Sequence, residues 1–232
     1  MPTTVQFILL LIGSYLFGSV PLAYIIARWT RGIDLRRFSS GNIGASNLAK
    51  ATSLYHAIPV GIFDLLKGTL MVFIARLLDF SVAQQVAVGL AAVVGHNWSV
   101  YLRFNGGRGV TTSLGVAFIL MPWGVVVFVA IALFTLVKRT TPLPVLLAIA
   151  ALPLASWLFH QPLAITLGLL AILLIMIIRR LTAPRSELST SVKLGELLKN
   201  RLVFDRDIRD AKTWLARKHE LATDRKNEEN LP

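Results

Sequence analysis

The polar and apolar positions of this chain alternate in blocks, not residue by residue. Apolar runs, nearly all without charge, cover about residues 5–27, 53–77, 81–99, 110–121, 125–137, 142–159 and 162–178, and short polar, mostly basic segments join them. Blocks of this kind predict helices that cross a bilayer. The run 5–27 follows no basic segment and precedes no small-residue cleavage site, so it reads as a span and not as a secretory signal peptide. The fourth and fifth runs are ambiguous. Residues 110–137 form one long helix, or two short ones broken at Pro122-Trp123-Gly124.

The basic residues decide between them. With the break, one face receives Arg28, Arg31, Arg36, Arg37 and Lys50, then Arg103 and Arg108, then Lys138 and Arg139, then a tail from Arg179 with thirteen Lys or Arg. That puts 22 of the 24 basic residues on one side, as expected of segments facing the cytoplasm and anionic headgroups. Without the break, Lys138, Arg139 and the tail change sides and the asymmetry collapses. The expectation is an all-α integral membrane protein with seven transmembrane helices, two of them short, the N-terminus outside and the C-terminus cytoplasmic. Residues 1–180 are expected to form the membrane domain and 181–232 a cytoplasmic basic tail. The short helices, roughly 18–20 Å at about 1.5 Å per residue, need shelter from neighbours or a thinned bilayer.

Two charges interrupt the second run. Lys67 follows Asp64 by three residues, which puts them on one helical face. They form a mutually neutralising structural pair, or an ionisable pair lining a polar cavity. Arg76 closes the run and is expected to snorkel to the outer interface. In the tail, Leu202, Phe204, Ile208, Ala211 and Leu215 fall at roughly helical spacing, which predicts an amphipathic helix on the membrane surface or a soluble helix.

Composition removes several classes. The 232 residues include no cysteine, which excludes disulfides and thiolate zinc sites, and the four histidines show no metal-ligand spacing. No metal and no cofactor are expected. The net charge of +12 invites a nucleic-acid reading, but the basic residues sit beyond apolar blocks without aromatic interleaving, so nucleic acid is not an expected partner. The inverted repeats that mark many transporters are absent from the sequence.

Two polar loops share the basic face. The first reads SSGNIGASNLAK over residues 39–50. Gly41 and Gly44 loosen its backbone, and Ser40, Asn42, Ser46 and Asn47 supply the hydroxyls and amides that a polyol phosphate requires. The plainer reading is a turn and a helix N-cap, with Ser46 or Asn47 capping the second span. The second loop reads LRFNGGRGVTT over residues 102–112 and follows Gly95-His96-Asn97. Gly106, Gly107 and Gly109 allow several N–H groups to turn toward one point, Arg108 adds a planar fork for phosphate, and Arg103 stands five residues earlier. The next helix opens at the same place, which favours an anion there. His96 is a general base, a substrate hydrogen-bonding group or a structural histidine.

SSGNIGASN, FDLLKG and GHNWSVYLRFNGGRGVTTSLG together resemble the bacterial membrane acyl-phosphate:glycerol-3-phosphate acyltransferases of the PlsY type. The ordered resemblance covers roughly residues 5–178. It implies transfer of an acyl group from acyl phosphate to the 1-hydroxyl of glycerol 3-phosphate, giving lysophosphatidic acid and phosphate at the bacterial cytoplasmic membrane. The implied partners are acyl phosphate, glycerol 3-phosphate and membrane lipids. By the resemblance, Ser40, Lys50, His96 and Arg108 are catalytic candidates and Asn42, Asn47, Gly106, Gly107 and Gly109 bind substrate phosphate; the reading of the loops adds Gly41 and Arg103 to the phosphate-binding set. Lys50 stands where the family has arginine, and Arg108 and Asn105 where it has lysine. The family's third motif, Arg-His…Asn…Arg-Leu followed by Gly-x-Glu, is absent after the last span, and Arg179, Arg180 and Glu196 are the candidate substitutes. A transporter of a phosphorylated metabolite is one alternative, although the outer connections are short and nearly uncharged. A related acyltransferase with a shifted acceptor is another.

Overall fold

The structure, a computed structural model, describes residues 3–137, 142–184, 189, 192–210 and 213–214. Every regular element among the described residues is helical. Helix α1 (Thr4–Ser19) opens on a capping box in which the Thr3 hydroxyl accepts the Gln6 N–H and the Gln6 side chain accepts the Thr3 N–H. The span expected over 5–27 is broken. The chain leaves α1 at Val20, and Pro21, which has no N–H to continue the ladder, precedes α2 (Leu22–Arg31). Together Thr4–Arg31 is still one apolar stretch long enough to cross a membrane, as are Leu54–Leu77 and Leu163–Leu181.

Helix α3 (Ala45–Ala51) is short and α4 (Leu54–Leu77) follows it. Ser53 precedes α4, so neither Ser46 nor Asn47 caps the second span; both lie inside α3. Helix α5 (Val82–Asn97) opens on a second capping box, Ser81 with Gln84. A 3₁₀ turn (Val100–Leu102) and the glycine loop lead to α6 (Val110–Leu120) and α7 (Pro122–Val137), divided at Met121 and Pro122 where the charge pattern required a break. Helices α8 (Leu143–Leu158), α9 (Leu163–Leu181) and α10 (Leu194–Phe204) complete the described elements. Lys138 and Arg139 lie outside the described residues.

Two helix pairs make the frame: α1 lies on α5, and α4 on α6. At both crossings glycines face backbone reciprocally. A Cβ on Gly18 would collide with the Ala92 carbonyl and one on Gly95 with that of Tyr15; in the other pair Gly68 faces the Thr112 carbonyl and Gly115 that of Leu65. Small residues of this kind let membrane helices pack closely. Short α6 is sheltered, as its length demands: it packs on α4, α5, α7 and α9, and Val116, Ala117 and Leu120 are buried. The core runs through Val93, Val116, Ile149, Leu169 and Ile172, whereas Leu9, Ile62, Leu133, Leu167 and Leu174 are about half exposed. An exterior that apolar suits lipid, not water.

The tail departs from its expected register. The helix is Leu194–Phe204, and Asp205, left-handed at φ 52°, ends it before Ile208. Ala211 and Leu215 lie outside the described residues. The segment also packs on the helical body: Arg180 donates to the Leu202 carbonyl (2.9 Å) and Arg201 to that of Leu181 (2.7 Å).

Candidate active site

The two polar loops and the tail meet at one end of the bundle. Ser40, Gly41, Asn105, Arg108, Arg179 and Arg206 line a common cavity enclosing about 480 Å³, part of it open to solvent. Arg36, Arg201, Asp205, Asp207 and Trp214 also reach it, so five arginines face two aspartates.

The first loop is held by an amide. Asn47 is buried, and its Nδ2 lies within hydrogen-bonding distance of the carbonyls of Leu35 (3.2 Å), Phe38 (3.0 Å) and Asn42 (2.9 Å). Its donors therefore shape the loop and are not turned to the cavity, contrary to the phosphate-binding expectation for this residue. The loop then turns through Gly41 at φ 70° and presents Ser40, whose hydroxyl accepts the Asn42 N–H (3.3 Å). The Asn42 Oδ1 is buried without a partner among the described residues. Arg36 is paired with Asp34 (2.6 Å). Burial acts to raise the Asp34 carboxyl, but the Arg36 hydrogen bonds and charge prevail and hold it below its ordinary range.

The glycine loop is folded back on the end of α5. The Gly106 N–H donates to the Asn97 carbonyl (3.2 Å) and the Gly107 N–H to that of His96 (2.9 Å). Those two donors are spent inside the protein, so the expected cradle of N–H groups from Gly106 to Gly109 is narrower than the glycine spacing implied. Arg179 fastens the same loop from α9, donating to Asn105 Oδ1 (2.8 Å) and to the carbonyls of Gly106 (2.8 Å) and Gly107 (3.1 Å). Gly109 takes φ 75° at the mouth of α6, a region open chiefly to glycine. Arg108 projects into the cavity and pairs through Nε with Asp205 (2.8 Å).

His96 belongs to a second, smaller chamber behind the loop, with Asp64, Lys67, Ser19, Gly106 and Gly107. Lys67 Nζ donates to Asp64 (2.7 Å) and to the Val20 carbonyl (2.7 Å), which the break after α1 leaves available, and His96 Nδ1 lies 3.5 Å from Asp64. The pair is thus a buried cluster lining a polar chamber and also a structural strap across the broken first helix. Gly107 lines the smaller chamber: a Cβ there would overlap His96 Nε2 and press on the Ile43 carbonyl. Gly107→Ala is therefore expected to cost about 1–3 kcal/mol of stability and to lower activity, whereas Gly195→Ala, with open space around it, is expected to do neither. Thermal unfolding of the two variants side by side checks this.

Other candidates stand away from the cavity. Lys50 and Arg103 are exposed and do not line it, and Glu196 is exposed in the first turn of α10. Arg180 is buried and donates to the carbonyls of Leu202 and Pro142 (3.0 Å), an anchoring role. Arg76 reaches the end of α6, donating to the Ile119 carbonyl (3.0 Å). Asp205, Arg206 and Asp207 were not foreseen at the site. The one available signal was the close run of opposite charges in DRDIRD over residues 205–210.

A family model described as glycerol-3-phosphate acyltransferase matches residues 8–186. The chain belongs to the glycerol-3-phosphate acyltransferase family. It is 44% identical to glycerol-3-phosphate acyltransferase 5 of Dehalococcoides mccartyi over 218 residues, covering 91% of this chain and 93% of that one. It is 38% identical to the glycerol-3-phosphate acyltransferase of Endomicrobium trichonymphae, covering 75% and 88%. A crystal structure of PlsY (YgiH), an integral membrane glycerol 3-phosphate acyltransferase, in its glycerol 3-phosphate form superposes with a TM-score of 0.71 at 30% identity, covering 75% of this chain and 88% of that one. The lysophosphatidic acid form of the same enzyme gives 0.71 at 27% identity, covering 84% and 93%. This chain is thus an integral membrane member of the PlsY family. The family model's match ends at residue 186, before the tail residues that roof the cavity, whereas the match to the Dehalococcoides mccartyi relative runs on into the tail.

Proposed function

We propose that this chain transfers a fatty acyl group from acyl phosphate to the 1-hydroxyl of glycerol 3-phosphate, releasing inorganic phosphate and forming lysophosphatidic acid. The observation that carries the reading is the shared cavity: in a chain of this family, Ser40 of the first loop and Arg108 of the glycine loop face one arginine-rich space. Both substrates carry phosphoryl groups, and a concave site with excess guanidinium charge suits them.

The donor is held by both of its ends. Its acyl chain lies among the helices, where Val20, Pro21, Tyr24, Ile25, Tyr101 and Leu102 line an apolar groove beside the break in the first span. Its mixed anhydride reaches the polar end. The acceptor hydroxyl oxygen attacks the acyl carbon, the bond from that carbon to the phosphoryl oxygen breaks, and phosphate leaves as the new ester forms. The hydroxyl proton passes to the departing phosphate. Acyl phosphates are already activated, so the work of the protein is positioning and stabilisation of charge. His96 lies behind the loop, and its contact with Gly107 makes it a support of that loop in this scheme.

The same reading places the N-terminus outside, makes seven crossings, and opens the cavity to the cytoplasm. The charge asymmetry of the sequence supports it, as does the gathering of Arg36, Arg108, Arg179 and Arg201 at one end of the bundle. Detergent-purified protein given palmitoyl phosphate and glycerol 3-phosphate is expected to release phosphate only when both are present. Release without acceptor would make it a hydrolase, and no release from the pair would remove the proposed reaction.

A further inference from the structure

The roof of the cavity comes from a part of the chain beyond residues 8–186, where the family model matches. Of its cations, four are already engaged. Arg36 is held by Asp34, Arg108 by Asp205, and Arg201 by Asp207 (2.7 Å) and the Leu181 carbonyl. Arg179 spends Nε and Nη2 on Asn105 and the glycine-loop carbonyls. Arg206 differs. It makes no hydrogen bond and no ion pair among the described residues, and its Nε is buried without a partner.

Its placement is nevertheless fixed. The left-handed Asp205 ends α10 and turns the chain, so Asp205 and Asp207 flank Arg206 and each is tied to an arginine. The Asp207 carbonyl also accepts from Asn200 Nδ2 (3.2 Å). The Arg206 guanidinium rests 5.2 Å from the centre of the Phe204 ring. A planar fork held in place, with its donors unspent, is the arrangement that recognises a phosphoryl oxygen pair. Burial lowers the Arg206 pKa while Asp210 opposes this, the mark of a cation short of compensating charge.

We propose that Arg206 is a further substrate-binding residue: a tail-borne ligand for the phosphoryl group of one of the two substrates, standing in for the third motif that the sequence lacks. This rests on the acyl-transfer reading above, and the test separates the two.

Arg206→Gln, Arg206→Lys and the exposed neighbour Arg209→Gln are compared with the full-length wild type in detergent. Arg206→Gln is expected to raise KM for one phosphoryl substrate about tenfold or more with kcat little changed, and Arg206→Lys to recover part of the loss. Arg209→Gln, which removes the same charge three residues further on at an exposed position, is expected to leave both constants unchanged. The substrate whose KM moves identifies the group bound. KM values for both substrates within about twofold of wild type, or a fall in kcat alone, overturn the assignment. Calorimetric binding of inorganic phosphate reads Arg206 without turnover. Wild type that binds phosphate without acyl transfer, and loses binding in Arg206→Gln, retains the assignment and overturns the reaction. Equal phosphate binding by both proteins, or by neither, removes Arg206 from the site.

Discussion

Arg108→Ala is expected to lower kcat/KM for acyl transfer by about a hundredfold or more, the scale seen when one preorganised donor to developing charge is removed. The argument has two parts. Arg108 is the glycine loop's only cation in the cavity, and its side chain is largely buried at 13% exposure, so bulk water replaces it poorly. Its removal also releases Asp205, whose carboxylate then faces incoming phosphate without its ion-pair partner. The double variant Arg108→Ala/Asp205→Asn separates these: it is expected to regain the part due to repulsion and to stay well below wild type. Steady-state kinetics with both substrates, beside a thermal melt that shows the helices intact, makes the measurement. Activity of Arg108→Ala within about threefold of wild type would contradict the role given to this guanidinium.

The largest stability effect is expected at Lys67. The ammonium is 1% exposed, between the Asp64 carboxylate and the Val20 carbonyl. Lys67→Met leaves a buried carboxylate without its cation, while the Val20 carbonyl keeps the Leu22 N–H (3.1 Å), and breaking such an ion pair from one side costs about 3–5 kcal/mol. In unfolding temperature that is a loss on the order of 10 °C. Asp64→Asn/Lys67→Met, which removes both charges, is expected to be clearly more stable than Lys67→Met alone. If the double variant melts no higher than the single one, the uncompensated carboxylate is not the cause of the loss.

What the sequence made legible follows from which forces act locally. Helix positions are written in apolar block length, and the break at Pro122 could be inferred because charge placement on either side of a bilayer depends on crossing parity. The break at Val20 and Pro21 had a local signal in Pro21, masked by the unbroken apolar run around it, and what the sequence did not show is its distant partner: Lys67 donates to the Val20 carbonyl. Ser40 and Arg108 were singled out by residue type and Arg179 through the family resemblance, and the structure brings them to one cavity. Asn47 was misread because its carbonyl partners, at Leu35 and Phe38, belong to a turn whose shape no spacing announces. The same holds for the glycine loop. Its glycines were read as freedom to bind an anion, whereas Gly106 and Gly107 serve close approach to His96 and Asn97. The arrival of Asp205 and Arg206 depends on a left-handed residue and on long-range ion pairs, neither of which periodicity records.

The reciprocal glycine crossings limit how this protein can breathe. Backbone rests on backbone where α1 meets α5 and where α4 meets α6, so neither pair can slide or twist without steric collision. In the proposed reaction, entry of the acyl chain therefore has to be accommodated away from those seams, along the edge lined by Tyr24, Ile25, Tyr101 and Leu102. The frame acts as a fixed jaw, and compliance is left to the short pieces of chain fastened around it.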